Sequence, residues 1–209
     1  MANPYKYHDG GILQLCEIRI HGRGGEGVRM AAHVLGRAGF LSGMKTQDFA
    51  MYGAERRGAP VASFCRLSSE GILTRGYIFS PDYVIVLDRT LDSAECLKGL
   101  KEKGKVVVNS DKPLKQFPNA VFLDATKVAM DTIGRPIPNI AILGAFLKIT
   151  GLLPLENLKQ AVREEMAGSH PEAIEGNIKA CEQCYNMLDG QKAASPPPIS
   201  YQSVKRTSK

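Results

Sequence analysis

The chain has 209 residues, 44% of them hydrophobic, which suits one ordinary α/β domain with a buried core and leaves little room for a second. No apolar run approaches the ~18 residues of a membrane span, and the N-terminal MANPYKYHDGG lacks the apolar centre of a secretory signal, so a cytoplasmic protein is expected. The net charge of +6 is concentrated at the end: Lys192, Lys205, Arg206 and Lys209 have no acid among them, leaving +2 elsewhere and no basic stripe for nucleic acid.

In chain order, residues 14–21 alternate between apolar and polar and predict a strand, to which Leu15, Ile18 and Ile20 contribute. The glycine cluster Gly22-Arg23-Gly24-Gly25-Glu26-Gly27 follows at once. Val28, Ala31, Ala32, Leu35 and Ala38 then recur at helical spacing, with Gly39 placed to end the helix. Strand, glycine loop and helix open a doubly wound fold. Residues 60–67 and 72–78 read as two extended segments around a hairpin-like turn, Ser68-Ser69-Glu70-Gly71. Residues 83–87 form an apolar run ending at Asp88, as in a strand buried on both faces. A charged helix over 92–101, a strand over 106–109 and a short strand over 121–123 come next. Helical patterns then cover 140–149, 155–166 and 171–188, the first preceded by Pro138 and a capping Asn139. The expected class is α/β: a Rossmann-like open, mostly parallel twisted sheet with a hairpin-like insertion and C-terminal helices. Residues 1–13 form an extension, 14–190 the domain, and 191–209 a Pro-rich basic tail, disordered or draped on a partner.

The loop fits G-x-G-x-x-G between a strand and a helix. Glycines permit close backbone approach, and a helix start offers unpaired N–H groups to an anion. A phosphate site is one reading; a turn whose glycines serve only packing is the other. For a dinucleotide, Asp48 lies about 20 residues on, where a ribose acid is wanted, but it follows Lys45, Thr46 and Gln47, not an apolar strand. Glu26 places negative charge where it would oppose a phosphate. Arg56 and Arg57, between Gly53 and Gly58, suit phosphate or carboxylate recognition, or else pair with Glu55 or a neighbouring subunit. Cys181 and Cys184 share a helix face, and without two further ligands at matching spacing packing explains them better than zinc. No metal ligand set and no catalytic residue is assigned, and nothing resembles the cysteine run of a ferredoxin.

Taken together, Ile20-His21-Gly22-Arg23-Gly24-Gly25-Glu26-Gly27-Val28 and Tyr52-Gly53-Ala54-Glu55-Arg56-Arg57-Gly58-Ala59-Pro60-Val61 resemble the gamma subunit or domain of pyruvate and related 2-oxoacid:ferredoxin oxidoreductases. Pro81-Asp82-Tyr83, Pro138-Asn139 before Leu143-Gly144-Ala145, and Glu175-Gly176-Asn177-Ile178-Lys179-Ala180 are similar to later segments of that family. The resemblance spans roughly residues 14–186.

It implies a non-redox subunit of an enzyme that oxidatively decarboxylates a 2-oxoacid to an acyl-CoA. Thiamine diphosphate and iron–sulfur clusters are then expected on alpha, beta and delta-type partner subunits, with an acceptor such as ferredoxin at the level of the complex. By the same resemblance Gly22, Arg23, Gly24, Gly25, Glu26 and Gly27 face the phosphates of coenzyme A, Arg56 and Arg57 lie near the same cleft or a subunit seam, and Asn139 is a polar contact at a helix start. An independent NAD- or flavin-binding oxidoreductase and a purely structural subunit are the competing readings.

Overall fold

A computed structural model describes residues 15–51 and 57–189. The expected extension over 1–13, the tail over 191–209 and Arg56 lie outside the described residues.

The first strand, β1 (Cys16–Arg23), sends Cys16, Ile18 and Ile20 to one face, where each is at most 1% exposed. Glu17, Arg19 and His21 take the other face, as strand alternation requires. Helix α1 (Val28–Leu41) crosses to an edge strand, β2 (Lys45–Ala50), and the chain returns as β3 (Pro60–Ser68). It then crosses β1 to β4 (Tyr83–Val86), and short α2 (Ser93–Leu97), β5 (Lys105–Asn109) and β6 (Val121–Leu123) follow. The remaining chain is α3 (Ala125–Ile133), α4 (Ala141–Thr150), α5 (Leu155–Glu165) and α6 (Pro171–Asn186). The sheet order is β2-β3-β1-β4-β5-β6. Strands β1, β4, β5 and β6 pair in parallel, whereas β3 is antiparallel to both β1 and β2.

Several expectations are corrected. Residues 45–50 form a strand despite their polar composition, because an edge strand is held by its backbone ladder to β3 and need not be apolar. Gln47 and Asp48 there take polar partners, accepting from Arg66 at 2.9 Å and bonding His33 at 3.0 Å. The hairpin is therefore β2–β3, and residues 72–78 are not a strand. They cross the sheet face turned away from α1, where Ile78 packs on Ala62 and Phe64 and Tyr77 stacks on Phe64 with ring centroids 5.4 Å apart. Finally, α3 is a helix that the apolar pattern did not announce. Asp124 caps it by accepting from the Lys127 N–H at 2.8 Å, and Gly134 closes it in the left-handed conformation.

Gly39 does not end α1, which continues to Leu41. A Cβ at Gly39 would lie 2.5 Å from Leu67 Cδ2, so this glycine lets the helix approach the sheet closely. The core lies between the sheet and α1, α4, α5 and α6. Helix α4 is buried all round, and a Cβ on Gly144 would stand 1.8 Å from the Cys181 carbonyl oxygen of α6. Cys181 and Cys184, both 0% exposed, belong to this core, and burial pushes each thiol up to about 12. Among the described residues no helix is long and apolar enough to cross a membrane.

Candidate functional site

The chain leaves β1 towards β3 on one side, while β4 lies on the other. The C-terminal ends of β1 and β4 therefore form a topological switch point, the usual crevice for ligands in open α/β sheets. Beside it a cleft of about 450 Å³ opens over the ends of β4, β5 and β6, lined by Asp88, Asn109 and Pro138 and, from the glycine loop, by Glu26.

The glycine loop turns from β1 into α1 at this crevice. Gly22 is buried, and a Cβ would meet Val28 Cγ2 at 2.6 Å. Gly25 and Gly27 have φ of 99° and 75°, a backbone that side-chain-bearing residues rarely adopt. Gly27 occupies the N-cap of α1, no side chain accepts a capping hydrogen bond there, and no acid stands in the first turn. A Cβ on Gly27 would lie 2.2 Å from Asn139 Nδ2. The Asn139 amide donates to the Gly27 carbonyl at 3.2 Å, and its Oδ1 accepts from the Ile140 N–H at 2.9 Å. Asn139 thus joins the starts of α1 and α4.

Two charged residues of the loop already have partners within the protein. The Glu26 carboxylate accepts the Arg23 N–H at 2.6 Å, and the Glu26 N–H donates to the Arg23 carbonyl at 3.0 Å. Burial, reinforced by nearby Asp88, raises the Glu26 carboxyl above its ordinary range against the pull of the Arg23 N–H. Arg23 donates from Nε to Asp88, from Nη1 to the Gly58 carbonyl at 3.1 Å and from Nη2 to Thr90 Oγ1 at 2.9 Å. Gly24 completes the framework by pairing with the second loop: its N–H donates to Ala59 at 2.9 Å and its carbonyl accepts from Gly58 at 3.0 Å.

Arg57 is therefore brought to the glycine loop. A Cβ on Gly25 would be 3.7 Å from Arg57 Cγ, and the residue is exposed, with no ion pair among the described residues. Exposed Arg29, in the first turn of α1, adds a cation that the sequence reading did not single out. Its position two residues past the last loop glycine was the available signal. Asp88 and Thr90 were also passed over as site residues: Asp88 marked only the end of an apolar run, and its partner Arg23 is 65 residues away.

Asp48 does not join them. It packs over Gly36 and bonds His33, and Gly36 lies nine residues beyond Gly27, or about 13 Å along the helix at 1.5 Å per residue. The place beside β1 where a dinucleotide fold carries its ribose acid is filled by the start of antiparallel β3 and the Arg57 loop. His21, just before the loop, accepts from Arg19 Nε at 2.8 Å, and burial together with that guanidinium pushes its imidazole down to about 3. It is a neutral structural acceptor at physiological pH. Arg29 and Arg57 are exposed cations beside the glycine loop, while the cleft is lined by Glu26, Asp88, Asp111 and Asp124 together with Arg89, which pairs with Asp111.

The model of the pyruvate ferredoxin/flavodoxin oxidoreductase family matches residues 17–187. The gamma subunit common to the pyruvate and ketoisovalerate oxidoreductases of Pyrococcus furiosus is 41% identical over 184 residues, covering 84% of this chain and 98% of the relative. The crystal structure of pyruvate oxidoreductase subunit PORC from Thermotoga maritima superposes with a TM-score of 0.72 at 34% identity, covering 83% of this chain and 96% of that one. The fold also recurs in a 2-oxoglutarate:ferredoxin oxidoreductase from Magnetococcus marinus, solved with 2-oxoglutarate, coenzyme A and succinyl-CoA bound. There the TM-score is 0.73 at 19% identity, over 90% of this chain and 33% of that longer one. With the family model spanning most of its length and a gamma subunit matched almost end to end, this chain belongs to the gamma-subunit family of the pyruvate and related 2-oxoacid ferredoxin oxidoreductases.

Proposed function

We propose that this chain is the non-redox subunit of a 2-oxoacid oxidoreductase complex and that its glycine loop, with Arg57, anchors the phosphates of coenzyme A. The observation that carries this reading is the start of α1 at the switch point, where no side chain makes a capping hydrogen bond, with exposed Arg57 held against Gly25 and paired to no described acid. Backbone N–H groups at a helix start and a guanidinium are complementary to a phosphate. The Magnetococcus marinus enzyme, which shares the fold, was solved with coenzyme A bound. Gly22 and Gly24 shape the loop, Arg23 and Glu26 stiffen it, Gly25 and Gly27 expose the backbone, and Asn139 holds the helix start; Arg56 would extend the cationic side.

Redox chemistry is assigned to alpha, beta and delta-type partners carrying thiamine diphosphate and iron–sulfur clusters, with ferredoxin or a similar acceptor at the level of the complex. The chain's own donor set does not fit a cluster. Its five thiols are buried and distributed over β1, β3, α2 and α6, and no group of three metal-ligating side chains occurs among the described residues. What this subunit contributes is orientation. Anchoring the remote phosphates restricts the thiol-bearing arm, so binding energy far from the reacting atoms lowers the barrier to acyl transfer.

In the assembled complex, Gly25→Val should raise the KM for coenzyme A about tenfold or more, the loss of roughly one charge-assisted contact. Decarboxylation followed without coenzyme A should stay near wild type. A parallel fall in both activities would instead assign the loop to assembly, the role of a purely structural subunit.

A further inference from the structure

We propose that Asp88 and Thr90 are positioning residues for coenzyme A, acting through Arg23 to hold the Arg57 loop against the glycine loop; this rests on the phosphate-anchoring reading above. Asp88 lies two residues beyond β4, directly after Leu87, whose N–H donates to the His21 carbonyl of β1 at 2.8 Å, and its carboxylate emerges at the switch point. One carboxylate oxygen accepts the Thr90 N–H and hydroxyl, both at 2.8 Å, and the other accepts Arg23 Nε. Thr90 Oγ1 accepts in turn from Arg23 Nη2 at 2.9 Å. Two edges of the guanidinium are thereby fixed, and Nη1 is left to reach the Gly58 carbonyl at 3.1 Å.

Gly58 is consequently held from both sides, since its N–H donates to Gly24 at 3.0 Å. Arg57 is the residue immediately before it, and its side chain lies on Gly25. The Arg23 and Asp88 side chains are 33% and 15% exposed. Burial alone would raise the Asp88 carboxyl, but the Thr90 N–H and hydroxyl and Arg23 together hold it below its ordinary range, and the ionised acceptor persists at neutral pH. An arginine on an unrestrained loop must be ordered when it meets a phosphate, and one held in place beforehand loses less freedom. Asp88, Thr90 and Arg23 therefore contribute to affinity without touching the ligand.

The test uses the assembled complex carrying Arg57→Ala, Asp88→Asn, Thr90→Val and Thr90→Ser. Asp88→Asn should raise the KM for coenzyme A about fivefold and Thr90→Val about twofold, scaled to the ordering of one long side chain, with kcat at saturating coenzyme A within about twofold. Thr90→Ser, which keeps the hydroxyl, should match wild type. Asp88→Asn added to Arg57→Ala should do no more than Arg57→Ala alone, because the first acts through the second. If Arg57→Ala raises KM while Asp88→Asn and Thr90→Val do not, the positioning role is wrong and phosphate anchoring stands. If Arg57→Ala itself leaves KM unchanged, both fall. Equal losses in kcat and in decarboxylation without coenzyme A would make Asp88 merely structural and overturn the proposal. Should the Asp88→Asn complex fail to assemble, the contrast between Thr90→Val and Thr90→Ser decides the question.

Discussion

Gly144 and Gly25 are both glycines that a larger residue cannot simply replace, but for opposite reasons. At Gly144, inside α4, the obstacle is space: the missing Cβ would fall 1.8 Å from the backbone of α6. At Gly25, in the loop, the nearest atom to such a Cβ is Arg57 Cγ at 3.7 Å, and the obstacle is a φ of 99°. Nothing crowds Gly25 except the arginine laid over it, and its backbone is exposed. The first glycine brings two helices together and the second leaves a peptide accessible. Composition alone does not separate these uses, whereas the surroundings of each Cβ do.

The largest expected effect lies on the packing side. Gly144→Ala must force α4 away from α6 and open a core in which Leu143, Phe146 and Cys181 are fully buried. Overpacking of this kind costs about 1–3 kcal/mol and occasionally more, here at the upper end because the clash is with backbone, measurable as a lowered denaturation midpoint and as loss of the chain from the complex. Gly25→Ala should separate the two classes: it places a side chain at positive φ at a cost of about 1–2 kcal/mol, and the complex should still assemble with weakened coenzyme A use. If Gly144→Ala proves benign, the close α4–α6 approach is not required by the fold.

The buried thiols sharpen the packing half of the comparison. Cys184→Ser places a hydroxyl in an apolar core and should cost about 1–3 kcal/mol if it finds no partner. A chelator should leave the melting temperature of the wild-type chain unchanged; a drop on chelation would restore a metal role for Cys181 and Cys184.

The smallest effect concerns the edge of the sheet. His33 on α1 bonds Asp48 of β2 at 3.0 Å and Glu165 of α5 at 2.8 Å. The bond to Asp48, then the charges of Asp48 and Glu165, raise its imidazole above the ordinary value despite partial burial. Stability from protonated His33 is therefore fully present below its unfolded pKa of about 6.5 and lost as pH rises through the higher folded value. A stability profile should fall slightly across that window in the wild type, and His33→Gln should flatten it. The effect is modest because the ring is 49% exposed. An unchanged profile would mean that these contacts do not secure β2.

Most of this architecture is legible in the sequence where burial dictates residue type. Strands β1, β4, β5 and β6 and helices α4 to α6 announce themselves because apolar faces must be covered. Edge strand β2 does not, because Lys45, Thr46, Gln47 and Asp48 form a backbone ladder without an apolar face. Residues 72–78 mislead in the other direction: Ile78 and Tyr77 pack on the sheet without joining it, and hydrophobicity cannot distinguish covering a sheet from extending it. In the site, glycine spacing located the loop and its place before a helix. What stayed hidden was the partner of each charge. Arg23 turns inward to Asp88 and Arg57 remains outward, a division set by which strand lies next to β1 and not by anything local to either arginine.

The central claim, that this subunit holds the phosphates of coenzyme A, is tested most directly by comparing two thiol substrates in the assembled complex. Coenzyme A carries the nucleotide and pantetheine does not. If Arg57 anchors phosphate, Arg57→Ala should lower kcat/KM for coenzyme A about tenfold or more, the value of a charge-assisted contact, and leave pantetheine unaffected. Equal losses for both substrates, or none for either, would contradict the account.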